Sequence, residues 1–304
     1  MNMSAYSSSV AVALIAVVFG CGSKPQPKYS GDSLTYSSSG DSLELPLPEV
    51  PAGITEAGER ARFVALHFWD GLDFRRDARS RDTAFMEQNF VNFIALLPYT
   101  SEEDAARAVG RLLDNAAVDD KASSLLAGVA DRYLADPNSP MRSEDIYMLF
   151  LRHTIESDKT DEARKARAEA RLNQAMKNRP GSKGADFRML AKDGKTTSLM
   201  AEVARDTTLV MFYDPDCAQC GEFTPELEKS EAARRFRMLA VDVAADRKLW
   251  EATRSKFPPE WEVAFAIDPV EDDEIYVIPA LPTLYLIAPD GTIILKDIPL
   301  GEIR

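Results

Sequence analysis

Between Thr207 and Tyr213 the chain runs TTLVMFY without a charge, and four residues on it places two cysteines three apart, in DPDCAQCGEF. The apolar run suits a strand buried on both faces, and Cys217 then begins a helix. A buried strand that delivers a Cys-x-x-Cys pair to a helix start restricts the possible folds more than any other feature of the sequence. The pair itself is open to three readings: a redox couple, part of a metal site, or a structural disulfide. A thiol at a helix start faces unpaired backbone N–H groups and the positive dipole end, which favours its thiolate. Three residues further, Cys220 lies on the same helix face, within reach of the first sulfur but more buried.

Helical patterning gives way to short β-rich runs after Arg179-Pro180-Gly181, which sets a domain boundary there. DFRMLAKDGKTTSL, from Asp186 to Leu199, reads as two short strands around the turn Lys192-Asp193-Gly194. FRMLAVDV, from Phe236 to Val243, reads as a second buried strand, and Arg247 to Lys256 as a crossover helix. Leu284 to Ile287 and Thr292 to Lys296 form a hairpin around Pro289-Asp290-Gly291. The order is a βαβ unit followed by ββ.

With Cys-x-x-Cys at the first helix, this order resembles the thioredoxin family. Pro225, five after Cys220, matches the family's helix-kinking proline, and Leu281-Pro282-Thr283 before a strand matches its cis-proline loop. DFRMLAKDGKTTSL and PTLYLIAPDGTII look most like the membrane-tethered TlpA/ResA-type branch. YLADPNSPMRSEDIY and FYDPDCAQC resemble Bacteroidetes lipoproteins that join a helical domain to such a module. The resemblance implies an α/β thioredoxin-like C-terminal domain, with a mixed central sheet flanked by helices, behind an all-α N-terminal domain. It implies that Cys217 attacks a disulfide, that Cys220 resolves the mixed disulfide, and that Leu281 and Pro282 bind an extended segment of the partner. The implied partners are disulfide-containing proteins and an electron donor, and no cofactor is needed.

Asp214 and Asp216 stand where the family commonly has small and aromatic residues, and their charges oppose the helix dipole. That points to a reductant of protein disulfides or a slow exchanger over a disulfide-forming oxidase. Met211, six before Cys217, occupies the place where many thioredoxins keep a buried acid, for which Glu222 or a water could substitute. The sequence ends at Arg304, before the terminal helix that in the family covers one sheet face, so the chain is either cut short or covered there by its helical domain.

No metal is expected: one cysteine pair with two remote histidines, His67 and His153, supplies too few zinc ligands. A structural disulfide would suit an exported protein, yet a bridge across so short a loop constrains the unfolded chain little. A non-enzymatic binding lipoprotein that uses the thioredoxin-like module as a scaffold is the reading from another class.

The third cysteine belongs to the N-terminus, where Val10 to Gly20 is an apolar run of signal-peptide type. Val18-Phe19-Gly20-Cys21 resembles a lipobox, which implies a signal peptide over 1–20 and lipidation of Cys21. Residues 21–53 are rich in Ser, Pro and Gly and read as a flexible tether, about thirty residues of which would relax to roughly 30 Å. The chain would then sit in the cell envelope, held to a membrane by lipid alone and facing the periplasm. Residues 54–180 read as an all-helical domain and 181–304 as the thioredoxin-like one. In the former, Ser101 caps a helix whose first turn is acidic, another start lies near Ser143, and Asp158 to Arg171 forms a solvated helix face. His67, His153 and Trp69 are expected to be structural. The net charge of −13 disfavours nucleic acid as a partner.

Overall fold

The computed structural model describes residues 43–297. The leader over 1–20, Cys21, and the final stretch from 298 to 304 lie outside the described residues. The chain divides into two compact units between Leu172 and Asn173.

The first unit is helical: α1 (Ala57–His67), α2 (Thr83–Ile94), α3 (Glu102–Ala116), α4 (Asp120–Ala130) running into a π turn (Asp131–Ala135), and α5 (Glu144–Glu156). The boundary between units falls inside the next helix, α6 (Glu162–Met176). Short polar side chains set the starts. Ser101 accepts the Asp104 N–H at the head of α3, where Glu102, Glu103 and Asp104 meet the positive dipole end, and Ser143 accepts the Ile146 N–H at the head of α5. Recurrence of apolar residues at three and four gives each helix one buried stripe, and the stripes meet in a core that includes Trp69, Phe85, Phe90, Phe93, Leu112, Leu126 and Phe150. The α6 side chains are exposed or half-exposed apart from Ala168 and Ala175. His67 pairs with Asp70 at 2.6 Å, and His153 lies 3.5 Å from Asp114.

The tether reading fails at its C-terminal end. Leu45 is 6% exposed and Leu47 and Val50 pack against the same helical core, so this segment belongs to the folded body. The reason is a fully buried asparagine: Asn89 Oδ1 accepts the Leu45 N–H at 2.7 Å, while Nδ2 donates to the carbonyls of Leu43 and Phe85. Asn89→Ala is expected to cost about 1–3 kcal/mol, because it strands the buried Leu45 N–H. Urea unfolding would read the loss and amide exchange at Leu45 the release of the segment; unchanged protection would refute the clamp.

The second unit holds seven strands: β1 (Arg188–Ala191), β2 (Thr196–Ser198), β3 (Thr208–Tyr213), β4 (Arg237–Asp242), β5 (Glu262–Ala266), β6 (Thr283–Ile287) and β7 (Ile293–Lys296). Between them lie α7 (Leu199–Val203), α8 (Ala218–Lys229), α9 (Glu231–Arg235) and α10 (Arg247–Thr253). The sheet order is β2-β1-β5-β4-β3-β6-β7, with β5, β4 and β3 parallel and the outer pairings antiparallel. The strand β5, EVAFA, is absent from the sequence reading: five residues with two alanines and a glutamate carry little β signal.

Alternation along β3 and β4 feeds two separate cores. Val210, Phe212, Leu239 and Val241 join Leu199 and Val203 of α7 on one face. Leu209, Met211, Tyr213, Met238 and Ala240 join Cys220 and Leu227 of α8 and Trp250 of α10 on the other. At the β6–β7 turn Gly291 takes φ +80, and a Cβ there would stand 2.8 Å from Met200 Sδ. Outside β7 the entering segment pairs with the sheet: Gly181 N–H donates to Ile293 O, Ile293 N–H to Ser182 O, and Gly184 N–H to Gly291 O.

Candidate active site

The parallel strand β3 ends at Tyr213, and the turn through Asp214 and Asp216 carries the chain onto α8. Asp214 Oδ1 accepts the Asp216 N–H at 2.7 Å, and the Asp214 carbonyl accepts the Cys217 N–H at 3.1 Å, which closes the turn. Cys217 is the N-cap of α8, and Ala218 is the first helical residue. Its Sγ accepts the Cys220 N–H at 3.1 Å, one of the donors that a helix start leaves unpaired. Placement at the cap brings the same dipole to the sulfur as the expected first helical position would.

Cys217 is half-buried, whereas Cys220 is 3% exposed, and both are free thiols. Burial pushes the Cys220 thiol up, and so does its hydrogen bond to Cys217. The Leu281–Pro282 bond is cis, and the Leu281 carbonyl lies 3.6 Å from Cys217 Sγ. The fold therefore brings together Cys217, Cys220 and Leu281, from two segments 64 residues apart. Pro225 lies inside α8.

A buried acid is present, though not where it was expected. Met211 is fully buried and apolar, and Glu222 is exposed. The carboxyl enclosed on the Cys220 side of the sheet is Asp242, at the end of β4, with no exposed surface. It stands in register with Tyr213, and its parity with Met238 and Ala240 puts its side chain on the α8 face. Oδ1 accepts the Ala244 N–H at 2.8 Å, and Oδ2 is enclosed without a partner among the described residues. Burial raises its pKa to about 7, with the charges of Asp214 and Asp246 acting in the same direction. Its signal was available in FRMLAVDV, where one charge interrupts an otherwise apolar strand end. Among the described residues no cluster of His, Cys, Asp and Glu could hold a metal ion.

A parallel βαβ unit with a Cys-x-x-Cys pair at its helix start and a cis-proline loop beside the outer sulfur defines a thioredoxin-like domain, and residues 205–293 match the family described as thioredoxin-like. Residues 20–178 match the family described as a domain of unknown function (DUF5106), and the chain belongs to that family. Among solved structures, a thioredoxin-like protein from Bacteroides caccae is 29% identical, with a TM-score of 0.77 over 85% of this chain and 95% of its own. The C-terminal domain of an uncharacterized protein from Bacteroides fragilis is 28% identical, with a TM-score of 0.38 over 41% of this chain and 94% of its own. A thiol:disulfide interchange protein from a Bacteroides species is 25% identical, with a TM-score of 0.36 over 41% of this chain and 85% of its own. No curated protein matches the chain.

Proposed function

We propose that the chain is a thiol–disulfide oxidoreductase of the cell envelope, anchored by lipid at Cys21, that reduces protein disulfides on the periplasmic side of a membrane. The observation that supports it is the pairing of an accessible sulfur with a hidden one. Cys217 caps α8 beside the Leu281 carbonyl, and Cys220 waits behind it, buried and held as a thiol. Cys217 attacks a disulfide in an extended segment that lies along the cis-proline loop, and Cys220 then displaces the reduced segment. The carboxylates of Asp214 and Asp216 beside the pair favour a reductant. A dithiol donor returns the pair to its reduced state. Among the described residues no helix is long and apolar enough to cross a membrane.

Equilibration against dithiothreitol measures the potential of the pair, and a value near or below about −270 mV supports the reductant. In envelope preparations, Cys220→Ser is expected to accumulate mixed disulfides through Cys217, visible as dithiothreitol-sensitive adducts. A pair that closes into a disulfide yet exchanges with no protein would leave the scaffold reading, a binding lipoprotein.

A further inference from the structure

We propose that Asn178 is a positioning residue for disulfide exchange: its side-chain amide fixes the arm of chain that presents Leu281 to Cys217, so that a partner segment meets a loop already in place. The inference rests on the exchange reaction proposed above. The segment from Ile275 to Pro282 belongs to no strand, so its shape is set by bonds other than sheet pairing. Asn178 Nδ2 donates to the Ile275 carbonyl at 3.1 Å, and Oδ1 accepts the Val277 N–H at 2.9 Å. One amide thus does what a neighbouring strand would do, serving a carbonyl and an N–H on the same stretch of backbone. From another element, β6, the Tyr285 hydroxyl donates to the Val277 carbonyl at 2.8 Å. Both backbone polar groups of the buried Val277 are therefore held by side chains. From that pin the chain runs through Ile278, Pro279 and Ala280 to Leu281, whose carbonyl lies 3.6 Å from Cys217 Sγ. At the far end the Thr283 hydroxyl donates to the Ala280 carbonyl.

Asn178 is itself anchored. It follows α6 in the left-handed conformation, φ +52, which asparagine adopts more readily than most side chains. Just before it, the Lys177 carbonyl accepts a bond from the Lys296 ammonium of β7 at 2.9 Å, and the Lys177 side chain pairs with Glu274. The amide is carried by backbone tied to the sheet, and it in turn ties the arm. Asn178 is the last residue of the match to the domain of unknown function, and the thioredoxin-like match begins at residue 205. The loop beside the reactive sulfur is thereby set in part by a residue that the thioredoxin-like match does not contain. A partner segment that docks by backbone pairing has to order whatever it lies against, and a loop held beforehand spares it that cost. Removing the pin should weaken docking of an extended partner and leave the sulfur chemistry of Cys217 as it was. Asn178 and Tyr285 both act through Leu281.

The test compares a disulfide that has a backbone with one that has none. The full chain carrying Cys21→Ala is reduced and mixed with 5,5′-dithiobis(2-nitrobenzoate), or with a short alanine–serine peptide whose single cysteine is joined to 2-nitro-5-thiobenzoate. In both, the Cys217 thiolate bonds to one sulfur and thionitrobenzoate leaves with the electron pair of the broken bond, so the first chromophore released reports attack. Asn178→Gly deletes the amide and keeps a residue that accepts φ +52. It is expected to raise the half-saturating peptide concentration roughly tenfold, with the limiting rate and the rate with the small reagent changed less than about twofold. Asn178→Asp keeps an acceptor for the Val277 N–H and should recover part of the loss. Tyr285→Phe should shift the same constant in the same direction as Asn178→Gly. A half-saturating concentration within about twofold of the parent's in Asn178→Gly would overturn the proposal, as would equal slowing with both reagents, which marks a disturbance of Cys217 itself. Should Asn178→Gly fail to fold, Tyr285→Phe decides by the same criteria. A parent that shows no saturation with the peptide would sink the docking step of the exchange reaction and this inference with it, whereas a parent that saturates and a variant that matches it would sink this inference alone.

Discussion

Cys217→Ser is expected to lower disulfide exchange by roughly a thousandfold or more, since it removes the attacking atom itself. The substitution is well suited to isolating chemistry from structure. The Cys217 sulfur caps α8 by accepting the Cys220 N–H, and serine is among the favoured residues for that position, so the cap survives the exchange of sulfur for oxygen. The unfolding midpoint of the reduced protein should therefore stay in place while turnover is lost. Reduction of insulin with dithiothreitol as donor provides the readout. Activity that persists in the serine variant would mean that Cys217 is not the nucleophile and would remove the basis of the proposed function.

The second large effect concerns stability and its sign. The Asp242 carboxyl titrates at about 7 in the fold, against roughly 3.9 in an unfolded chain. Between those values the folded state keeps a proton that the unfolded state has lost, so this group makes stability fall as pH rises from about 4 to about 7. Above that window its effect is constant and unfavourable. At about 1.4 kcal/mol per pH unit over roughly three units, the ceiling is about 4 kcal/mol. Asp242→Asn removes the titration and should be more stable than the parent at pH 8 by a sizeable part of that amount, while the two converge near pH 4. The side chain retains an oxygen to accept the Ala244 N–H. Other carboxyls run the opposite way: the Arg81 guanidinium and backbone donors hold Asp119 at about 2, and Lys183 and Thr292 hold Asp290 at about 2. For that reason the difference between parent and variant across pH, from urea unfolding, is the quantity to read. Parallel curves would show that Asp242 is ionised in the fold throughout.

Much of this architecture was legible because its signals are local. Ser101 and Ser143 announce helix starts by their own chemistry, TTLVMFY needs no partner to be read as a buried strand, and Asp290-Gly291 turns the hairpin through one left-handed glycine. What escaped depends on neighbours distant in sequence. The strand β5 is held by β4 on one side and β1 on the other, and these pairings, not its propensity, make it a strand. Leu45 sits in a proline-rich run without helical or strand periodicity, and Asn89, 44 residues on, is what holds its backbone against the core. In the site, the cysteines and Pro282 were visible by spacing. Asp242 shows in the sequence only as a charge at a strand end, and the β3–β4 register and the face that α8 covers are what put it on the Cys220 side of the sheet.

The backbone pairing of Gly181 to Gly184 outside β7 bears on how molecules of this kind avoid one another. A bare sheet edge is a template for another chain's strand and a common start for aggregation. Here the start of the β7 edge, as far as Ile293, is paired with the unit's own entry segment, and at the opposite edge β2 is only three residues long. A strand donated by a neighbour would have to displace covalently tethered backbone on one side or find three residues' worth of pairing on the other. The chain thus shields the start of this edge with its own backbone, and a cut after Ser182 would leave it open to a foreign strand.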